Sequence, residues 1–381
     1  MLNIYLPQPV YAAHPYERLI SADILRKGDH LHLFPAHYPD FSTPLSAMEL
    51  RQRGHVLPGD TIWKPDVIAQ QYQMAPDTAE APLEIRLRGD YAGTFRVRTP
   101  PELPKVFLTA ATLFKDDYPQ LEAWVDYHAA QGFDRFVLYY NGHIDTILPE
   151  LLARPALTSR DVLLVQWPFS YWADGVPLGN EGLLAQHGDD TDLSQVRLNW
   201  HHAQHLMLNH VLVFLRGTTE YLGLFDLDEY FCAQTPPRVV DFIKGYQQDI
   251  YIFQSRWAEL TSNRVPGWGD DRHFLATEEI EAAAEWEPFP HRTKYIARLD
   301  KIYATRVHYP KTSDDDARVV VVPPHLAGIY HFHCFSGKAS RRKFVNPTGQ
   351  WVGVTDFQEP EPPHAAEPAP LPLRPALQLV G

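Results

Sequence analysis

The sequence predicts an α/β protein in which a small β-rich domain precedes a domain built on a mostly parallel sheet flanked by helices. From Val106 onward, apolar runs of strand length alternate with helical segments, which is typical of a parallel sheet. Before residue 100, HLHLF and PLEIRLRGDYAGTFRVR alternate apolar and polar residues, as half-buried strands do. The proline-punctuated segment PPELPK joins the two patterns. We therefore expect a β-rich domain over residues 1–104, an α/β domain over 105–357 and a proline-rich tail over 358–381.

The α/β pattern begins with VFLTAATLF, a continuous apolar run suited to a strand covered on both faces. A helix is predicted over DDYPQLEAWVDYHAAQG, with Asp117 as its cap, Pro119 in its first turn and Gly132 closing it. FDRFVLYYN and DVLLVQWPF are the next two strands, separated by a helix over IDTILPELL. A long helix over SQVRLNWHHAQHLMLNHVLVFLRG leads to a fourth strand, YLGLFDLDEY. In such sheets, ligands bind beyond the carboxyl ends of the strands.

Composition excludes several classes of function. The net charge of −13 disfavours nonspecific attraction to nucleic acid or to an anionic bilayer. No apolar run is long enough to cross a membrane, although a peripheral association stays open. The two cysteines exclude a disulfide framework and suit a reducing compartment, so we expect a cytoplasmic protein.

The acids of YLGLFDLDEY point to a metal site. Along a strand, Asp226 and Asp228 share one face, whereas Leu227 points into the core. Two adjacent carboxylates repel each other unless a cation lies beside them, and oxygen ligands suit Mg²⁺ or Mn²⁺ that also binds a substrate diphosphate. The alternative is a solvated turn or a salt-bridged strand end, because Asp-x-Asp is common by chance.

An ordered set of motifs resembles glycosyltransferase family 92 and its bacterial relatives among the family-2-like glycosyltransferases. AQHLMLNHVLVFLRGTTEYLGLFDLDEYF matches the family's central signature, with Tyr230 replacing a phenylalanine. LEAWVDYHAAQGFDRFVLYYN resembles its Glu-Trp-x-x-Tyr-His segment. KYIARLDKIYATRVH and YHFHCFSGKASRRKF resemble its Lys-x-Ile-x-Arg, Val-His and His-Tyr-x-x-x-Ser blocks. The signature positions in this chain are Gln204, Asn209, Asp226, Asp228 and Glu229.

The resemblance implies a GT-A-like fold that transfers a sugar from a nucleotide diphosphate donor to a glycan or glycoconjugate, usually with Mn²⁺ or Mg²⁺. It places Asp226 at the ribose or metal and Asp228 at the metal. His331 is the preferred third ligand, although His308 and His333 stay open. It favours UDP-galactose as donor, with UDP-glucose or an N-acetylhexosamine donor next. The donor-binding candidates are Thr109, Lys115, Asn141, Gln204, Asp226 and Lys294.

If the sugar's configuration inverts, as the resemblance suggests, a base must take the proton of the acceptor hydroxyl. Glu259 ends the apolar strand YIFQSRWAEL, and Asp270 and Asp271 lie in the loop PGWGDDRHF, where an acceptor sugar could stack on Trp268. Two rival functions stay open. One is a nucleotide-sugar or glycan-binding protein that retains the fold without turnover, and the other is a metal-dependent phosphohydrolase.

Overall fold

A computed structural model of the chain describes residues 2–7, 10–14, 17–27, 30–35, 48–64, 67–73, 81–87, 90–168, 202–233, 238–312, 314–336, 350–354 and 356–357. In chain order its strands are β1 (Leu2–Tyr5), β2 (Val10–His14), β3 (Glu17–Lys27), β4 (His30–Pro35), β5 (Met48–Gln52), β6 (His55–Val56), β7 (Gly59–Lys64), β8 (Val67–Gln73), β9 (Leu83–Leu87), β10 (Asp90–Phe95), β11 (Val106–Phe114), β12 (Arg135–Tyr140), β13 (Asp161–Gln166), β14 (Thr219–Leu224), β15 (Glu229–Ala233), β16 (Ile250–Phe253), β17 (Ser255–Leu260), β18 (Ile280–Ala283), β19 (Lys294–Arg298), β20 (Ala304–Thr305), β21 (Pro310–Lys311), β22 (Val319–Val322), β23 (Ala327–Phe332) and β24 (Trp351–Val354). Its α-helices are α1 (Leu121–Ala130), α2 (Leu148–Leu152), α3 (Pro155–Thr158), α4 (His202–Leu215) and α5 (Val239–Tyr246). Short 3₁₀ helices cover Tyr118–Gln120, Ile144–Thr146, Leu275–Thr277 and His333–Ser336.

An eight-stranded sheet forms the centre of the protein, with strand order β1-β13-β12-β11-β14-β19-β16-β22. Every pairing in it is parallel except the two made by β19. The predicted α/β class with a mostly parallel sheet is therefore confirmed. Strands β11, β12, β13 and β14 correspond to the four apolar runs, and they lie beside one another in the sheet.

A second sheet, of order β15-β23-β17-β18-β24, lies beyond the carboxyl end of β14. The predicted strand YIFQSRWAEL is not continuous. It divides at Gln254, so that β16 belongs to the central sheet and β17 to the second sheet. The chain passes from one sheet to the other at this point and also between β14 and β15, and the second of these crossings forms the candidate site.

The chain before residue 100 forms strands, as its alternation predicts. The described residues give a five-stranded antiparallel sheet, β2-β3-β4-β8-β7, and a four-stranded sheet, β10-β9-β5-β6. Strand β1 instead pairs in parallel with β13 at the edge of the central sheet. Leu25 and Phe34 pack into the same core as α4. The division into domains stays a prediction, as does the tail over 358–381, which lies outside the described residues.

Two apolar cores cover the two faces of the central sheet. One contains α1, α5 and the inner face of the second sheet, and the other is formed around α4. Along α4, Ala203, Met207, Val211 and Phe214 form a stripe of helical spacing and are buried. Most of its other described side chains are also buried, because the sheet lies on one side of α4 and the N-terminal strands on the other. Among the described residues, no helix combines the length and the apolar character that a bilayer crossing requires.

Three local predictions need correction. Asp117 precedes the 3₁₀ turn before α1, but its side chain makes no capping hydrogen bond. The donor-binding candidate Thr109 does not lie beyond the carboxyl end of a strand, where ligands bind, but inside β11, fully buried and hydrogen-bonded to Thr219 Oγ1 at 2.8 Å. Asp226 and Asp228 are not on a strand, because β14 ends at Leu224 and β15 begins at Glu229.

Candidate active site

Three hydrogen bonds, donated from three different elements, hold the backbone carbonyls of the turn between β14 and β15. The Glu229 N–H donates to the carbonyl of Asp226 at 3.0 Å, which closes the turn. The indole N–H of Trp124, on α1, donates to the same carbonyl at 3.2 Å. The Phe332 N–H, at the end of β23, donates to the carbonyl of Asp228 at 2.7 Å. Elements of both sheets and α1 therefore fix where the two aspartates project.

Lys294 is the counter-charge of this turn. Its Nζ, at the start of β19, lies 2.8 Å from Asp226 Oδ2 and 2.9 Å from Glu229 Oε2, and only 3% of the side chain is exposed. Burial alone would lower the pKa of this ammonium, but the two carboxylates outweigh it and raise the pKa. Lys294 therefore stays charged, and it keeps two acids of like charge close together.

Burial and the charge of Lys294 shift the pKa values of Asp226 and Glu229 in opposite directions. Burial would raise the pKa of Asp226, but Lys294, with smaller contributions from His331 and His308, lowers it overall. Glu229 is only 3% exposed, so burial dominates and its pKa is raised despite Lys294. The Glu229 carboxylate also accepts the N–H of Asp226 at 2.9 Å, so it supports the turn from inside.

His331 links the turn to the second sheet. Its Nε2 lies 3.1 Å from Asp228 Oδ2, and its Nδ1 lies 3.5 Å from Glu229 Oε1. Burial opposes a positive charge on the imidazole, but the neighbouring carboxylates, Asp228 first, outweigh it and raise the pKa of His331. The ring of Trp257, on β17, lies 4.4 Å from the ring of His331, centre to centre, and holds it in place.

The residues present suit a small divalent cation. Asp228 Oδ1 is buried and accepts no hydrogen bond, whereas its Oδ2 is bound to His331. Within the described part of the chain, no three His, Cys, Asp or Glu side chains are already grouped as a metal site. Mg²⁺ and similar ions typically take one or two carboxylates and obtain the other ligands from phosphates and water. A carboxylate oxygen without a partner, beside a partly exposed aspartate, is consistent with that pattern.

Two of the three candidate histidines, His308 and His331, have described side chains, and the surroundings shift their pKa values in opposite directions. His308 Nδ1 lies 3.0 Å from the carbonyl of Thr293, so Nδ1 carries the proton and Nε2 carries the lone pair. Burial, followed by repulsion from Lys294, lowers the pKa of His308 to about 4. His308 is therefore neutral at pH 7, whereas the carboxylates around His331 favour the protonated form of its imidazole, which cannot bind a metal ion through the protonated nitrogen. The side chain of His333 lies outside the described residues.

The predicted donor-binding residues do not all lie together. Gln204, on α4, donates to Asp226 Oδ1 at 3.4 Å, and Lys294 contacts Asp226 directly. Asn141 follows β12 and donates to the carbonyl of Trp167 at 2.8 Å, which places it at the carboxyl edge of the central sheet. Lys115 follows β11 at the same edge and is exposed. The structure does not bring Thr109 to this edge, because it lies in the amino-terminal half of β11.

The three acids predicted as bases have different surroundings. Glu259 is buried on β17 and shares the strand face of Trp257, the residue that contacts His331. Asp270 pairs with Arg264 and accepts the N–H of Gly267, so its carboxylate holds the loop together. Asp271 is exposed and accepts the N–H of His273 at 2.9 Å.

The loop of Trp268 is attached to the first helices. The indole N–H of Trp268 donates to Glu150 at 2.9 Å, the guanidinium of Arg154 lies over its ring, and the ring of Tyr118 lies beside it. The predicted stacking surface is therefore already in contact with protein side chains.

Sequence reasoning missed the roles of Trp124 and Trp257. The first anchors the turn through its N–H, and the second holds His331. The signal for Trp124 was available, since it lies in the family-like segment LEAWVDYH. For Trp257 there was no local signal, because only the pairing of β17 with β23 brings it opposite His331.

The sequence model of glycosyltransferase family 92 matches residues 106–360. A comparison with curated proteins gave no match.

Solved structures resemble the chain only distantly. HddC from Yersinia pseudotuberculosis shares 12% identity at a TM-score of 0.28, over 56% of this chain and 89% of that one. Residues 1–349 of S. aureus TarS share 12% identity at a TM-score of 0.32, over 60% of each chain. Core-mannan synthase A (CmsA/Ktr4) from Aspergillus fumigatus, in its Mn/GDP form, shares 10% identity at a TM-score of 0.25, over 40% of this chain and 44% of that one.

Proposed function

Because the chain belongs to glycosyltransferase family 92 and is therefore a glycosyltransferase, we propose that it moves a hexose from a UDP-sugar to a hydroxyl of a glycan or glycoconjugate. In this proposal the domain is GT-A-like, the donor is UDP-galactose, the configuration of the sugar inverts, and Mn²⁺ or Mg²⁺ is required.

The observation that carries the proposal is the cluster of Asp226, Asp228, Glu229, Lys294 and His331 beyond the carboxyl end of β14. In parallel α/β sheets this edge is where ligands bind. Its two aspartates are held by backbone contacts, and one buried carboxylate oxygen is left without a partner. Such an arrangement suits a diphosphate that is bound through a cation.

A divalent cation would be held by Asp228, with Asp226 beside it and His331 as third ligand, and it would neutralise the charge that develops on the leaving diphosphate. Lys294 keeps Asp226 ionised and oriented. Gln204 holds the other oxygen of Asp226. Asn141 and Lys115 lie along the same sheet edge, where they would contact the nucleoside and the phosphates.

The test is incubation of the purified protein with a panel of UDP-sugars and Mn²⁺, with release of UDP as the measurement. We expect turnover with one hexose donor, lost on chelation and restored by Mn²⁺. Asp228→Ala should lower the rate by about 100-fold or more, the range found when one electrostatic contact to a transition state is removed. Asp300→Ala removes an exposed aspartate outside the cluster and should leave the rate unchanged.

Two results would contradict the proposal. Unchanged turnover in Asp228→Ala would exclude this turn as the metal site. Donor binding without hydrolysis or transfer, measured by calorimetry, would indicate a binding protein that retains the fold without catalysis.

A further inference from the structure

A cleft of about 440 Å³ opens between the segment that precedes α1 and the loop that follows β17. Its lining residue Phe335 stacks on Phe332, whose N–H donates to the carbonyl of Asp228 in the turn. Its polar lining consists of Asp116, Asp117 and Gln120, and its apolar lining includes Val265, Pro266 and Phe335. None of the residues assigned above to the metal or the donor lines it.

Gln120 lines this cleft and has a buried side-chain oxygen that accepts no hydrogen bond. Its side chain is 3% exposed, and its Nε2 donates to the carbonyl of Phe335, which fixes the orientation of the amide. Its Oε1 is buried and accepts no hydrogen bond. A buried acceptor without a partner is destabilising, so a ligand that donates a hydrogen bond to it would relieve that cost.

The structural role of Asp117 is confined to the turn in which it lies. Its carboxylate accepts the N–H of Lys115 at 2.9 Å, but it does not cap the helix that it precedes. Burial raises its pKa, and repulsion from Asp228 and Asp226 adds to that effect. Among the described residues, no hydrogen bond joins the Asp117 carboxyl to the cluster of the turn, although both aspartates of the turn act on it electrostatically.

The charge of the cleft selects the kind of ligand. Two carboxylates and an amide oxygen repel a phosphate, whereas they accept hydrogen bonds from hydroxyl groups. An acceptor sugar carries such hydroxyls and no charge. The reaction also needs a base beside the anomeric carbon, and the diphosphate would hold that carbon near Asp228.

We propose that this cleft binds the reacting end of the acceptor sugar, with Gln120 orienting its hydroxyls and Asp117 acting as the general base. This inference rests on the proposed glycosyl transfer. The acceptor oxygen forms a bond to the anomeric carbon, and its proton passes to the Asp117 carboxylate. The bond from that carbon to the diphosphate oxygen breaks, and its electron pair leaves with the diphosphate.

Asp117 fits this role better than the acids chosen from the sequence. Asp270 is occupied by Arg264 and Gly267, and Asp271 is not among the residues that line the cleft. Glu259 is almost fully buried within the second sheet. Asp117, in contrast, is partly exposed in an open cleft.

The test separates donor binding from turnover. UDP affinity with Mn²⁺ is measured by calorimetry, and hydrolysis of UDP-galactose, in which water replaces the acceptor, measures the chemical step. Asp117→Asn should lower kcat for hydrolysis by about 100-fold or more while the Kd of UDP stays unchanged, because general bases contribute about 10²–10⁴-fold. Asp117→Glu should restore part of the rate, and Asp300→Asn is the charge-matched control.

Two further measurements test the same assignment. The acid limb of the wild-type pH profile should be absent in Asp117→Asn, whereas Lys115, Asp116, Asp226 and Asp228, which surround the carboxyl, remain in both proteins. In transfer to methyl hexopyranosides, Gln120→Leu should raise the KM of the acceptor at least tenfold with little change in the KM of the donor.

Three outcomes would overturn the inference. An unchanged kcat in Asp117→Asn, or a similar loss in Glu259→Gln, would assign the base elsewhere. A weaker UDP affinity in Asp117→Asn or Gln120→Leu would make the cleft part of the donor site. A wild-type protein that neither binds UDP nor hydrolyses any donor would instead refute the proposed function.

Discussion

Removal of the Lys294 ammonium is the sharpest test of the electrostatics of the site. Lys294→Met would leave Asp226 and Glu229 facing each other without a counter-charge. At 2.9 Å, the ion pair with Glu229 corresponds to about 6 kcal/mol at an effective dielectric constant of about 20. The ion pair with Asp226 contributes less Coulomb energy, because 37% of the Asp226 side chain is exposed and water screens its charge.

The net loss is smaller than the Coulomb energy, since the variant no longer pays the cost of burying an ammonium. Breaking one partner of a buried ion pair typically costs about 3–5 kcal/mol, and we expect a loss in that range at pH 8. The pKa of Glu229 is already raised by burial, and loss of Lys294 raises it further. A raised carboxyl pKa favours the folded state at low pH, so the deficit should shrink as pH falls from 8 to 5.

The measurement is urea unfolding, followed by tryptophan fluorescence at both pH values. Lys294→Arg keeps the charge and should lose less stability. Lys294→Met combined with Glu229→Gln should recover part of the deficit, as expected for coupled residues. A wild-type midpoint in Lys294→Met, or a deficit that does not change between pH 5 and pH 8, would refute the ion-pair reasoning.

Three other predictions concern positions outside the ion pair. Gly132→Ala should destabilise the protein more than Gly217→Ala in thermal unfolding. Both glycines have positive φ, but only at Gly132 would a Cβ lie 2.2 Å from a valine methyl carbon. Equal losses of stability in the two variants would mean that backbone strain alone matters. Burial lowers the pKa of His128 from 6.5 to about 3, so the wild type should lose stability as pH falls through that range. His128→Leu should lose less stability over the same range. Parallel curves of unfolding free energy against pH for the two proteins would contradict this. Trp124→Phe removes the N–H that donates to Asp226 and should weaken Mn²⁺-dependent UDP binding while leaving the far-ultraviolet circular dichroism unchanged; wild-type affinity would show that the other contacts suffice to hold the turn.

The sequence determined four strands of the central sheet, β11–β14, but not the order of its eight strands. Continuous apolar runs such as β11–β14 have to be covered on both faces, and that requirement is local to each run. It also placed chemically active residues beyond the carboxyl end of β14. A turn at Asp226 and Asp228 was only the alternative prediction, because the apolar residues Phe225 and Leu227 continue the alternation past the last strand residue.

Only the tertiary structure decided which groups meet. Lys294 is separated by 68 residues from Asp226, and His331 by 103 residues from Asp228. Contacts over such separations depend on how two sheets cross, which periodicity along one strand does not encode. For the same reason Lys294 pairs with acids of the turn, and Asp117 faces a cleft instead of capping a helix. Sequence pattern fixes which face of an element is buried, whereas charge pairing in a site depends on distances that exist only after the elements have packed.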